Sequence, residues 1–385
     1  MTHILDDTLK PIAEKARTGQ RLSLADGSVL YASRDIFTIG RLADEVRRAR
    51  HGRTAWYVAN RHINYTNVCV LRCKFCGFGR RPDVDAGDAY VLTADQVVDQ
   101  AAQACKDGAT EVHIVGGLHP TLPFDYYKEM ISRIRAACPR MGIKAFTAAE
   151  IVHFSRISRP RRSIEQVLAE LKECGLDCLP GGGAEIFDPR VQAEAFPYKI
   201  GEHEWFAVHR AAHDLSLPSN ATMLYGHVET PSQRLAHLIR LREHQDESLR
   251  RGRGAFHCMV PLSFVPAART DWAHLPGPSG LDDLKTLAIC RLMLDNFPHI
   301  KAFWPVQTIQ LAQVALSWGV DDLDGTVVWY DVTRREGQGT RQHLEIESLR
   351  RLIGEAGYEP AERDCFYNRV TRAGSAWRLA DAASF

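Results

Sequence analysis

From about residue 55 onward, short runs of β-branched and aromatic residues alternate with amphipathic stretches of helical period. Candidate strands fall at residues 56–65, 111–115, 144–147, 177–179, 221–226, 256–264, 300–305 and 325–329. The intervening helices signal their own starts. Thr93 with Gln96, and Ser163 with Gln166, read as capping boxes ahead of apolar stripes at Val97, Ala101 and Ala104 and at Val167, Leu171 and Cys174. Thr230 followed by Pro231 reads as a cap and a first-turn proline. Strands alternating with helices imply βαβ units, because parallel neighbours need a crossover. Eight of them fit an α/β fold of the (β/α)8 barrel type. A doubly wound open sheet is the alternative, since strand order is not written in a sequence; the barrel is preferred. Residues 1–50 read as a helical N-terminal extension, 51–340 as the barrel, and 341–385 as a helix over 346–356 with a polar tail.

Composition narrows the partners. The 385 residues are 45% hydrophobic and 25% charged with a net charge of +1. That balance gives no electrostatic reason to expect a nucleic-acid or anionic-membrane partner. The first residues carry Asp6 and Asp7 and lack the apolar core of a secretory signal. No apolar run approaches the roughly 18 residues needed to cross a bilayer. The expectation is a soluble, cytoplasmic protein with no membrane insertion.

Of ten cysteines, three crowd into residues 69–76, a spacing that suits a metal site better than a disulfide framework. The other seven (Cys105, Cys138, Cys174, Cys178, Cys258, Cys290 and Cys365) are scattered and read as small hydrophobes. The crowded segment runs from Asn64 to Cys76 as a C-x3-C-x2-C pattern of Cys69, Cys73 and Cys76, directly after the first strand. Three thiolates can ligate three irons of a 4Fe–4S cubane and leave the fourth iron open. An open position is what a catalytic metal requires. In a barrel that loop lies at the C-terminal face, where active sites sit. The rival is a structural zinc with a histidine such as His62 as fourth ligand, but no second cysteine pair accompanies the first.

Other chemistry gathers at predicted strand ends. Gly116-Gly117 follows the second strand, where paired glycines let backbone approach a ligand. Gly181-Gly182-Gly183 follows the fourth, and Glu185 just beyond could meet a ribose hydroxyl or a cation. Glu150 ends the third strand and could face the site. His62 and Asn64 share one side of the first strand and could project toward the barrel mouth. A histidine in that position is more often structural than catalytic.

The triplet with an aromatic residue before its last cysteine resembles the radical S-adenosylmethionine superfamily signature. The resemblance implies that the methionyl amino and carboxylate groups chelate the open iron, and that electron transfer splits the sulfonium into methionine and a 5′-deoxyadenosyl radical. It further implies that Phe75 lies against the adenine and that Gly116-Gly117 meet the methionyl amino group. The stretch 220–229 partly matches a superfamily pattern beside the adenosyl group, with Thr222, Leu224, Gly226 and Glu229 in register and Tyr225 among them. Thr222 stands where that pattern has glycine, which leaves the contact open.

Within the superfamily, residues 60–67, 116–120, 143–148, 180–187, 275–285 and 363–368 are similar to the aminofutalosine synthase family of the futalosine route to menaquinone. The triple-glycine stretch is shared with the sister cyclase that makes cyclic dehypoxanthinyl futalosine. Leu118 and the 276–285 segment favour the synthase, whereas Trp304-Pro305-Val306 departs slightly from its pattern. The resemblance implies that the radical adds to the enolpyruvyl double bond of 3-[(1-carboxyvinyl)oxy]benzoate. The products are then 6-amino-6-deoxyfutalosine, methionine and bicarbonate, with S-adenosylmethionine consumed as a co-substrate and a ferredoxin or flavodoxin as low-potential donor. A substrate with two carboxylates calls for cationic or amide donors at the mouth, and Arg80 and Arg81 are candidates. The rival readings are the sister cyclase or a deazaflavin-cofactor synthase, and, from another class, a non-catalytic zinc or iron–sulfur scaffold.

Overall fold

The computed structural model describes residues 5–81, 87–327 and 343–380. The last two residues of the eighth expected strand and the boundary at 340 lie outside the described residues. Eleven strands occur among the described residues: β1 (Thr54–Val58), β2 (Asn60–Ile63), β3 (Glu111–Ile114), β4 (Gly142–Ala145), β5 (Ser219–Tyr225), β6 (Phe256–Ser263), β7 (His299–Ile300), β8 (Asp322–Gly325), β9 (Glu359–Arg363), β10 (Val370–Ala373) and β11 (Ala376–Leu379).

Parallel pairing runs from β2 to β3 to β4, and from β5 to β6 to β7. Single parallel bridges, Lys144 to Cys178 and Leu179 to Ser219, carry the ladder through segment 177–179. Lys301 bridges to Asp322, and β8 pairs with β1, which returns the ladder to its start. The strands thus follow one another in the expected order round a ring. The seventh, however, ends at Ile300, with helix Trp304–Gln307 where 300–305 was expected to be strand, and the eighth begins at Asp322, three residues before the expected 325. The expected helices lie between them as 94–106, 164–173 and 231–251, and the capping boxes at Thr93, Ser163 and Thr230 are all formed.

Two further features depart from the sequence reading. The first strand breaks at Ala59, whose carbonyl accepts from the Thr110 amide at 2.7 Å. Below that point the chain pairs with β9 instead of β3, in register from Thr54–Glu359 to Val58–Arg363. The segment beyond 341 is therefore more than a helix and a tail. After helix Ile346–Glu355 it supplies β9 to the barrel floor and an antiparallel β10–β11 hairpin. Polar composition concealed these strands.

The lower barrel is filled by ion pairs rather than by branched apolar layers. Lys144 meets Glu111 at 2.6 Å, Arg363 meets Asp322 at 2.7 Å, and Lys301 meets Asp324, all buried. The Tyr367 hydroxyl also donates to Asp322 at 2.7 Å. Each of these buried charges has an opposite partner, as burial in low dielectric requires. The N-terminal helices, including Ile36–His51, pack onto the same core through Ile12, Leu30, Ile39 and Leu42. Lys285 ties them down by donating to the carbonyls of Tyr31 and Ser33. No helix among the described residues is long and apolar enough to cross a membrane.

Candidate active site

The loop after β2 is held by its own asparagines and threonine. Thr66 Oγ1 donates to the Tyr90 carbonyl at 2.6 Å, and Asn67 Nδ2 donates to that of Asp88 at 2.9 Å. Asn67 Oδ1 accepts the Tyr90 amide, and Asn64 Nδ2 reaches the Val115 carbonyl at 3.0 Å. Backbone bonds from Cys69 to Arg80 and from Val70 to Leu118 complete the frame. The polar residues around the cysteines thus shape the loop. Arg80 belongs to this frame too, paired with Asp88 at 2.9 Å and donating to the carbonyls of residues 77–79.

Cys69, Cys73 and Cys76 line one cavity of about 630 Å³ together with Phe75, Gly116, Gly117, Glu185 and Thr222. Arg81 lies on its wall as well. Gly117 is required by contact. A Cβ there would come 2.2 Å from the Val68 carbonyl oxygen, so no larger residue lets the glycine loop lie against the cysteine loop. At Gly181 a Cβ would meet the Ala221 backbone at 2.6 Å, which explains the first of the three successive glycines.

The cysteines suit a cluster. Burial raises the Cys69 thiol above its ordinary pKa and pushes Cys73 up to about 12, so thiolates here need positive charge nearby. Bound metal supplies such charge. Backbone amides already point at the sulfurs, Leu71 N to Cys69 Sγ and Gly79 N to Cys76 Sγ, each at 3.4 Å. Among the described residues, no other cysteine or histidine lines this cavity to complete a tetrahedral zinc site. Among the described residues the one ligand set whose donor atoms all fall within 4.8 Å is His51, His299 and Asp321. That set belongs to the ion pairing at the other end of the barrel, where Asp321 is held by Arg291 and by His299 at 2.6 Å.

The remaining expected residues divide. Glu185 is in the cavity, paired with Lys199. Glu150 is fully buried behind the cavity wall. Its carboxylate accepts from Tyr65 Oη at 2.7 Å, Gly116 N at 3.0 Å and Thr147 N at 2.7 Å. It positions the glycine loop. His62 lies in the barrel interior, its ring 4.4 Å from that of His113, and is not on the cavity wall. Burial lowers its pKa to about 4 and keeps it neutral.

Tyr225 and Glu229, expected beside the adenosyl group, are placed elsewhere. Thr222 and Leu224 line the cavity, so strand alternation turns Tyr225 outward to Asp283 at 2.7 Å and Ser263 at 2.9 Å. Glu229 accepts the Gly226 and His227 amides and pairs with Arg234 at 2.7 Å. It fixes the loop after β5 from behind. Sequence reasoning missed Lys199, which carries no motif.

Comparisons with known proteins point to the same chemistry. Residues 63–241 match the radical SAM superfamily, and residues 276–375 match the CofH/MqnC C-terminal region. The chain is 44% identical to an aminodeoxyfutalosine synthase of Thermus thermophilus, over 96% of this chain and 98% of the relative. It is 41% identical to an aminodeoxyfutalosine synthase of Streptomyces coelicolor, over 93% of each. A 5-amino-6-(D-ribitylamino)uracil--L-tyrosine 4-hydroxyphenyl transferase of Methanopyrus kandleri is 38% identical, over 89% of this chain and 91% of the relative. In fold it is similar to methylornithine synthase, with a TM-score of 0.73 at 16% identity over 91% of this chain and 97% of that one. The chain belongs to the radical SAM superfamily, which uses a 4Fe–4S cluster and S-adenosylmethionine, and within it to the group that contains the aminodeoxyfutalosine synthases.

Proposed function

We propose that this enzyme is an aminodeoxyfutalosine synthase of menaquinone biosynthesis. It joins the adenosyl part of S-adenosylmethionine to 3-[(1-carboxyvinyl)oxy]benzoate, with one water consumed as the lost carboxylate leaves as bicarbonate and methionine is released. The observation that carries the reading is the 44% identity over 98% of the Thermus thermophilus relative, together with a cavity that gathers all three motif cysteines.

Cys69, Cys73 and Cys76 hold the cluster, which when bound supplies the electron that splits the sulfonium. Phe75 packs against the adenine, Gly117 lets the methionyl group lie close to backbone, and Thr222 and Glu185 face the ribose. Arg81 and Arg269, both on the cavity wall, meet the substrate carboxylates through charge-assisted hydrogen bonds. The ion-paired floor formed by Arg363, Lys144 and their acids leaves the cysteine-lined end as the entrance, which limits water and stray hydrogen donors. A ferredoxin or flavodoxin delivers the electron. The enzyme works in the reducing cytoplasm, in keeping with its ten free cysteines.

The transferase relatives supply the competing reading, in which L-tyrosine and 5-amino-6-(D-ribitylamino)uracil are the substrates. The test offers both substrate sets to anaerobic, reduced enzyme with S-adenosylmethionine and analyses the products by mass spectrometry. An adenosine–benzoate adduct is expected. A tyrosine-derived uracil adduct, or no adduct from the benzoate, overturns the assignment.

A further inference from the structure

Lys199 is the cation that the motifs do not account for. It follows helix Pro189–Ala195 in a short connection, and its side chain is only 12% exposed. It lines the cavity of the three cysteines and also a smaller outer groove beside Val70 and Tyr198, so it forms part of the wall between them. Its ammonium lies 5.8 Å from the centre of the Phe75 ring, the residue between Lys74 and Cys76. It pairs with Glu185, which is itself buried and lines the same cavity.

This ion pair is an unusual thing to bury beside three sulfurs. Burial works against the ammonium, but its pairing with Glu185 holds its pKa above the usual lysine range. The helix that precedes Lys199 is tied to the cysteine loop, whose Lys74 amide donates to the Ala195 carbonyl at 2.9 Å. A fixed positive charge near a cluster stabilises the form that carries the extra electron, and a neighbouring carboxylate opposes it.

We propose that Lys199 is an electrostatic positioning residue which, balanced by Glu185, sets the reduction potential of the cluster held by Cys69, Cys73 and Cys76. The proposal rests on the chain binding that cluster and is independent of which substrate it adenosylates. An electron in this site meets a positive charge on the side facing the outer groove, so the potential is tuned by a residue outside the cysteine motif.

The test is a redox titration of the reconstituted enzyme by electron paramagnetic resonance, before any nucleotide is added, with iron and sulfide content as control. Lys199→Met is expected to move the midpoint to more negative potential, Lys199→Arg to restore it, and Glu185→Gln to move it the other way. Should Lys199→Met fail to assemble a cluster, the positive shift of Glu185→Gln still decides the matter. Unchanged midpoints in the variants that assemble a cluster, or shifts of opposite sign, overturn the proposal. So does a Lys199→Met enzyme with the wild-type midpoint and weakened nucleotide binding, which would make Lys199 a ligand contact.

Discussion

The Tyr65 hydroxyl donates to Glu150 Oε1 at 2.7 Å, and the same oxygen accepts the Gly116 amide at 3.0 Å. One buried carboxylate therefore joins the end of the first barrel strand, the glycine loop after the second and the turn after the third. Those segments carry the cysteine loop and two walls of the cavity, so their alignment depends on a group that touches neither cofactor nor substrate.

Replacing that acceptor should loosen the alignment. In Glu150→Gln an amide faces donors where a carboxylate oxygen stood, at a cost of about 1–3 kcal/mol for each buried group left unpaired. The expected result is a lower melting temperature and weaker S-adenosylmethionine binding with iron content retained. Tyr65→Phe removes one donor and should cost less. Calorimetry and equilibrium nucleotide binding measure both; a Glu150→Gln enzyme with wild-type binding contradicts a positioning role.

Cys73→Ala should lose iron and activity while keeping its fold, because the residue sits half-buried in a loop framed by Thr66, Asn67 and Arg80 rather than in the core. Iron analysis and circular dichroism melting distinguish this from a core cysteine, whose loss would lower the melting temperature without affecting iron.

Gly117→Ala tests loop contact directly. With the Val68 carbonyl 2.2 Å from the added carbon, the two loops must separate. The expected outcome is reduced cluster occupancy after reconstitution, read from the iron-to-protein ratio. Full occupancy would show that the cysteine loop does not depend on this close approach.

Burial disfavours the charged form of many histidines and lowers their pKa values, most strongly at His62, His113, His209, His213, His237, His244 and His257. The unfolded chain binds these protons near pH 6.5, whereas folded His62 and His244 wait until about pH 4. Stability is therefore fully present above pH 6.5 and is lost as pH falls toward 4, by about 1.4 kcal/mol per pH unit for each site. Glu150, raised to about 7 by burial, acts in the opposite sense between its ordinary value and 7, as do Asp177 and Asp283, which burial also raises, but the histidines outnumber these three carboxyls. Urea unfolding under anaerobic conditions, with the cluster absorbance followed throughout, should show the midpoint falling between pH 6.5 and 4.5. A flat or rising midpoint contradicts this.

Much of the barrel was legible because its strands are short apolar runs and its helices carry their caps in sequence, as at Thr93 and Ser163. The break at Ala59 was not, because it arises from a change of partner, from β9 to β3, that only tertiary structure creates. β9 itself, Glu359–Arg363, has an alternation too weak to read. In the site, the cysteines and glycines were legible because covalent spacing and close backbone approach leave marks in residue type. Tyr225 is turned away from the cavity by strand alternation with Thr222 and Leu224, and Glu229, in the loop after β5, is taken up by the Gly226 and His227 amides and by Arg234, partners that its closeness in sequence to Thr222 does not reveal. Lys199 was invisible because a lone lysine in the 196–200 connection looks like any solvated charge until folding buries it beside Glu185.

The proposed reaction consumes S-adenosylmethionine by attaching its adenosyl group to the enolpyruvyl benzoate. The most direct measurement is the stoichiometry of anaerobic turnover under a strong reductant. Methionine and the adenosyl adduct are expected in a one-to-one ratio, with little free 5′-deoxyadenosine. Methionine accompanied by an equal amount of free 5′-deoxyadenosine and no adduct would contradict it.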